Sequence, residues 1–325
     1  MDDFLRKQLL QLSYKPHASS VQQYNRCRRK WALHQLYEPE QEHKALHFGT
    51  VFHAMLEAYH RGIEWEGHPE MEFLEEEDHE LLRSMFDYYT KYWLEAPENA
   101  YYKNLEYLEH ELEFSLRISP TLSADYAGRI DAIVKDEYGR LWVLDYKTRS
   151  QLTGESGFDT DFQMSVYALA GRQLGFEVEG VIVLQFLKKP AKGLRKLKNG
   201  TFSTAKNQRV SPLIVREQLQ EVPEEERDAL ASFAMYDPDQ DPFVRAVQTH
   251  RTPMQLTNTR RYLGDHYKEY VLLLDRYTSF TPNFTRDCTW DCPFRAVCMA
   301  YEDGFDWRQI LEGNFKRKEA ADDGD

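Results

Sequence analysis

Gly128-Arg129-Ile130-Asp131-Ala132-Ile133-Val134, then Lys135-Asp136-Glu137-Tyr138-Gly139, then Arg140-Leu141-Trp142-Val143-Leu144-Asp145-Tyr146-Lys147-Thr148 is the stretch that decides the fold. Two apolar, β-branched runs flank a polar segment that ends in glycine, the pattern of a β-hairpin. Side chains alternate along a strand, so Leu141, Val143, Asp145 and Lys147 share one face of the second strand. With the turn centred near Tyr138, Asp131 stands opposite Asp145. Two carboxylates and an ammonium then crowd one patch. Like charges are costly to bring together unless a cation lies between them. A hard, oxygen-preferring metal, magnesium or manganese, suits such donors.

Other elements are read outward from this hairpin. Ser19 and Ser20 can cap a helix that continues to about Tyr37, with Val21, Tyr24, Cys27 and Trp31 on its apolar face. Gly49 precedes a helix over about 50–61, and a long polar helix or helix pair fills about 71–95. Leu112, Phe114, Leu116 and Ile118 alternate as a half-buried strand. A helix is expected over 160–174. A continuous apolar strand over 181–187 reads as buried on both faces. Residues 213–235 and 255–277 read as mostly helical. This order predicts an α/β fold, a central mixed β-sheet flanked by helices, with an N-terminal helical region and a C-terminal helical, cysteine-rich segment. One domain is expected over residues 1–312, with a helical insertion at about 60–105 and a charged, disordered tail at 313–325.

The chain of 325 residues has a net charge of -13, which by itself disfavours a polyanionic partner. The charge is uneven, and local fields outweigh totals. Residues 64–80 carry nine acidic side chains and no Lys or Arg, whereas residues 188–209 carry eight Lys or Arg and no Asp or Glu. The acidic run reads as a solvated helix face. The basic run, with Lys188, Lys189, Lys192, Arg195, Lys196 and Lys198, suits a flexible arm that tracks a phosphate backbone; a solvated loop is the other reading. No apolar run is long enough to span a membrane, and the start lacks a signal-peptide pattern, so a cytoplasmic location is expected.

Of the four cysteines, Cys288, Cys292 and Cys298 fall within eleven residues, and Cys27 stands alone near the start. Such spacing marks a ligand cluster, and Cys27 is the remaining candidate for a fourth thiolate. Four thiolates suit zinc or an iron–sulfur cluster equally.

These residues resemble the PD-(D/E)xK nuclease superfamily, in particular its RecB-like branch. Asp131, in Gly128-Arg129-Ile130-Asp131, matches the first metal-binding aspartate. Asp145-Tyr146-Lys147 matches the (D/E)xK element, Gln163 to Tyr167 the QxxxY motif, and Gly49 to His53, with Glu57, the upstream GxxxH helix. The cysteines, one before the nuclease motifs and three after, are similar to those of AddB-type and CRISPR-associated RecB-like iron–sulfur exonucleases, as are Ser20, Tyr24, Arg28 and Trp31 around Cys27. The spacing departs from that pattern at Cys288 and Cys292, where three residues intervene instead of two. The basic segment also resembles a loop of phage-encoded relatives.

The resemblance implies a restriction-endonuclease-like core and metal-dependent hydrolysis of DNA, with single- or double-stranded ends as substrate. Asp131, Asp145, His53 and the Tyr146 carbonyl would hold Mg2+ or Mn2+. Lys147 would orient the attacking water, and Gln163 and Tyr167 would position water or strand. Arg129 would touch phosphate. Glu57, one turn after His53, would orient it or bind a second metal through water. Cys27, Cys288, Cys292 and Cys298 would hold a [4Fe-4S] cluster, with zinc as the alternative. A recombination, helicase or CRISPR partner is a further expectation. A second reading keeps the fold and cluster in an inactive DNA- or partner-binding subunit.

Overall fold

The computed structural model describes residues 1–12, 16–39, 44–118, 125–198, 200–290 and 292–318. Its strands are β1 (Tyr37–Pro39), β2 (Glu106–Arg117), β3 (Asp125–Lys135), β4 (Leu141–Arg149), β5 (Val178–Leu187), β6 (Val244–His250) and β7 (Phe315–Arg317). The deciding stretch folds back on itself because Asp136 organises the turn. Its Oδ1 accepts the Tyr138 and Arg140 amides at 3.0 and 2.9 Å, and its Oδ2 accepts Arg140 Nε at 2.7 Å and Trp142 Nε1 at 3.1 Å. Burial alone would raise the Asp136 pKa, but these donors outweigh it and hold the carboxyl at about 2. Gly139 closes the turn at φ 78°, a conformation that costs glycine nothing.

The turn fixes the register. Ile133 pairs with Val143 and Ala132 with Leu144 in antiparallel β3 and β4. Asp131 and Asp145 are the next residues beyond the Ala132–Leu144 pair. β4 then runs parallel to β5, and β5 antiparallel to β6, giving a mixed five-stranded sheet in the order β2-β3-β4-β5-β6. Ala132, Val134, Trp142, Leu144, Tyr146, Ile182, Leu184 and Phe186 pack in one buried cluster with Val51, Phe52 and Leu56 of the helix Lys44–Arg61 and with Leu82, Met85 and Tyr89 from the helical segment after it. Gly171 of the helix Phe162–Gln173 lies where an added Cβ would come within 3.5 Å of Val143 and Val178. Even-numbered β4 residues thus enter one core, and odd-numbered ones turn to the other face.

The chain forms two compact units. One comprises Met1–Glu42, Glu113–Gly128 and Thr252–Asp325, and the other His43–Leu112 and Arg129–Arg251. Every candidate catalytic residue lies in the second, and all four cysteines lie in the first. The first has its own core, built from Leu5, Tyr24, Trp31, Leu273, Phe280 and Phe294.

Five sequence expectations change. The helix expected from Ser19 to about Tyr37 is two helices, Ala18–Arg26 and Arg28–Leu36, broken at Cys27, whose backbone is extended at φ -162° and ψ 108°. The apolar stripe survives the break, with the Tyr24 and Trp31 rings 5.1 Å apart edge to face, so periodicity alone cannot reveal it. Strand β6 was not expected, because Val244-Arg245-Ala246-Val247-Gln248-Thr249-His250 is short and weakly apolar. The segment expected as a tail starts inside the helix Trp307–Asn314 and continues as β7, which pairs with β1; residues 319–325 lie outside the described residues. The basic segment is folded, not a free arm. Leu197 N donates to Thr201 O at 2.8 Å and Ser203 N to Arg195 O at 2.9 Å, while buried Leu194 packs with Val215, Val222 and Leu230. Gly49 lies inside its helix and does not precede it. No helix among the described residues is long and apolar enough to cross a membrane.

Candidate active site

The sheet alternation places Asp145 and Lys147 on one side of β4 and sends Tyr146 to the other. The Tyr146 ring is buried, and its hydroxyl lies 3.3 Å from that of Tyr107, which in turn lies 3.1 Å from His60 Nε2. His60 also meets the Tyr89 hydroxyl at 3.0 Å, and burial pushes its imidazole down to about 3, so it stays neutral. This polar knot anchors the middle of the Asp145-Tyr146-Lys147 motif from behind. In front, the Tyr146 amide donates to Asp131 Oδ2 at 2.6 Å, so the backbone of β4 fixes the carboxylate of β3. The other oxygen, Asp131 Oδ1, lies 3.4 Å from His53 Nδ1, which arrives from the helix Lys44–Arg61.

Asp145 is 2% exposed. Its Oδ1 accepts Lys147 Nζ at 2.9 Å, while its Oδ2 is buried with no hydrogen-bond partner among the described residues. Lys147 Nζ also donates to Gln163 Oε1 at 3.1 Å, and Gln163 Nε2 donates to the Tyr167 hydroxyl at 2.8 Å. The motif residues therefore form one continuous chain from Asp145 to Tyr167. The helix bearing Gln163 and Tyr167 is set by Asp161, which caps the Gln163 amide at 2.8 Å. Buried Arg251 at the end of β6 ties that corner down, donating to Phe158 O at 2.6 Å and Ser165 Oγ at 2.8 Å.

The electrostatics separate the two aspartates. Burial raises both, but His53, the Tyr146 amide and Lys147 outweigh it at Asp131 and keep that carboxyl below its ordinary value. At Asp145 burial wins over Lys147, and the nearby Asp131 charge adds to it, so the carboxyl is pushed up to about 6. Lys147 and His53 each lose to burial and gain more from the aspartates, which raises both. Lys147 is thus a charged donor at neutral pH.

These residues open onto a cavity of about 530 Å³ lined by His53, Glu57, Glu111, Arg129, Tyr146 and Lys147, among others. That size admits a nucleotide-scale group. Glu111 and Arg129 form an ion pair at 2.5 Å. Glu57 pairs with Arg61 at 2.7 Å on its own helix. Glu111, Arg251, Tyr107 and His60 escaped the sequence reading. Glu111, Arg251 and Tyr107 carry no motif, and His60 falls within the expected helix over about 50–61 without one.

Arrangement and register match the motif order Asp131, Asp145, Lys147, Gln163, Tyr167, and the family model of the PD-(D/E)XK nuclease superfamily matches residues 18–299. The chain belongs to the PD-(D/E)XK nuclease superfamily. No match was found among curated proteins. For a PD-(D/E)XK nuclease the donor set fits a hard divalent metal: two facing carboxylates, one buried oxygen without a partner, and an imidazole. Among the described residues no three His, Cys, Asp or Glu side chains already converge as a metal-holding group, because the carboxylates lean on Lys147, His53 and the Tyr146 amide.

The same holds for the cysteines. Cys27 Sγ accepts the Lys30 and Asn283 amides at 3.4 and 3.5 Å, and Cys288 Sγ donates to Asn283 O at 3.5 Å, so Asn283 touches both. Burial raises the Cys292 thiol, and it raises Cys298 to about 11 despite Arg29 beside it; the other cysteines add to both shifts. All four cysteines lie in one unit, and Asn283 links Cys27 to Cys288.

A metal that binds Asp145 must displace its proton. Mn2+ should therefore raise the melting temperature by about 5 °C at pH 8 and by little at pH 5, below the pH 6 region where Asp145 titrates. Equal shifts at both pH values in differential scanning fluorimetry would remove Asp145 from the ligand set.

Proposed function

We propose that the chain is a divalent-metal-dependent deoxyribonuclease of the RecB-like branch that works as an exonuclease on DNA ends. The continuous chain from Asp145 through Lys147 and Gln163 to Tyr167, beside Asp131 and His53, carries this reading. Asp131, Asp145 and His53 would hold Mg2+ or Mn2+, with the Tyr146 carbonyl as a further ligand. Such a metal, when bound, acidifies a water and polarises the phosphoryl oxygen.

The protein's own groups do the remaining work. Lys147, held between Asp145 and Gln163, presents a fixed ammonium to the attacking water and to charge growing on the phosphoryl oxygens. Gln163 and Tyr167 keep that ammonium aimed. Exposed Lys189, Lys192, Arg195, Lys196 and Lys198 offer phosphate contacts. Lys188 contributes less, because its ammonium sits 4.5 Å above the Phe48 ring. The cysteines would hold a [4Fe-4S] cluster or zinc.

End-labelled single- and double-stranded DNA incubated with Mn2+ or Mg2+ tests the whole reading. Progressive loss of label from one end supports an exonuclease. Intact DNA under all metal conditions overturns the assignment.

A further inference from the structure

We propose that Glu111 makes Arg129 a phosphate-binding fork at the mouth of the cavity, a subsite for a phosphate of the nucleic-acid strand. This deepens the nuclease reading and rests on it.

Glu111 has a left-handed backbone, φ 47°, inside a strand. A non-glycine residue pays for that conformation, and such strain gathers where a side chain is aimed at a task. The strand changes face here. Tyr107 and His110 stack with ring centroids 5.2 Å apart, although residues three apart on a regular strand point to opposite sides. Beyond the irregularity Phe114 and Leu116 are the buried positions. A left-handed residue inside a strand re-aims the side chains around it, and here Glu111 lines the cavity that His53 and Lys147 also line.

There its Oε2 grips Arg129 Nε at 2.5 Å. Arg129 lies two residues before Asp131 on β3, so both point to the same face. With Nε taken by Glu111, the planar guanidinium offers its two terminal nitrogens, the pair that matches two phosphate oxygens. The Arg129 side chain is 59% exposed and that of Glu111 22%, so the carboxylate is the sheltered anchor and the fork faces incoming ligand. An ordinary surface ion pair contributes too little to justify a strained backbone.

The test measures binding of a fluorescein-labelled single-stranded oligonucleotide without metal, by anisotropy, and Mn2+-dependent cleavage of the same probe. Glu111→Gln should weaken binding and raise KM by about tenfold, with kcat within about twofold. Glu111→Gly should lose the same affinity while its Tm is unchanged or higher, because glycine adopts this φ freely. Adding Glu111→Gln to Arg129→Ala should cost nothing further. Unaltered binding by Glu111→Gln overturns the proposal. So does a fall in kcat at constant KM, which would place Glu111 among the metal ligands, or a lower Tm in Glu111→Gly, which would make the pair structural. A wild-type protein that binds the probe without cutting it removes the nuclease reading and leaves the binding comparison standing. One that binds no probe overturns both.

Discussion

Lys147→Ala is expected to leave a folded protein whose metal-dependent cleavage falls by about 10²–10³ or more, the usual cost of removing one preorganised donor from a transition state. Lys147 Nζ is the only described link between the Asp145 carboxylate at 2.9 Å and Gln163 at 3.1 Å, so its loss also releases the Gln163–Tyr167 pair. The variant has a second signature. Without the ammonium, the buried Asp145 carboxyl rises further above its unfolded value. A group whose folded pKa is raised holds its proton longer in the native state, so stability falls as pH rises through that pKa. The thermal deficit of Lys147→Ala should therefore widen above about pH 6 and shrink below it. Cleavage retained above about 1% would sink the assignment, and a deficit independent of pH would sink its electrostatic basis.

Cys27→Ser should behave in opposite ways under two readings, which makes it the sharper test of the cysteines. Cys27 caps the helix Arg28–Leu36 through its Sγ, and serine is a better helix cap than cysteine. If Cys27 only packs and caps, the variant is as stable as the wild type or more so. If Cys27 is one of four metal ligands, the variant loses the metal, and the unit that contains it loses much of its folding energy, which for structural zinc reaches about 10 kcal/mol. The measurements are metal content, visible absorption after purification without oxygen, and protease sensitivity. We expect a brown, iron-containing wild type and a colourless, protease-sensitive variant. One zinc per colourless wild-type chain would select zinc, and a metal-free, stable wild type would end the cluster proposal.

The hairpin was legible because a period-2 pattern, a glycine turn and a polar cap all agree on one register, and the register alone brings Asp131 to Asp145. His53, Gln163 and Tyr167 came from the resemblance to the family's motifs, and each sits on a regular helix. What stayed hidden breaks periodicity. Cys27 interrupts a helix without interrupting its apolar stripe. Glu111 acquires its direction from one left-handed residue that no pattern announces. The basic segment looked free because its charges are conspicuous, whereas its order comes from Leu194, with Phe202 packed against the same cluster, and from Gln218, which bonds both the amide and the carbonyl of Leu194. Strand β6 was missed for its mixed composition, although its last turn delivers Arg251 to the corner of the site.

The interleaving of the two units sets an order of synthesis. Domains fold as they emerge from the ribosome, N-terminal parts first. The second unit is complete once Arg251 has emerged, with every candidate catalytic side chain in place. Segments Met1–Glu42 and Glu113–Gly128 of the first unit have emerged by then, but they wait for Thr252–Asp325, which carries Cys288, Cys292 and Cys298. A nascent chain stalled between Arg251 and Cys288 would thus carry every candidate catalytic side chain of one unit, while the other still waits for the rest of Thr252–Asp325 before it can close.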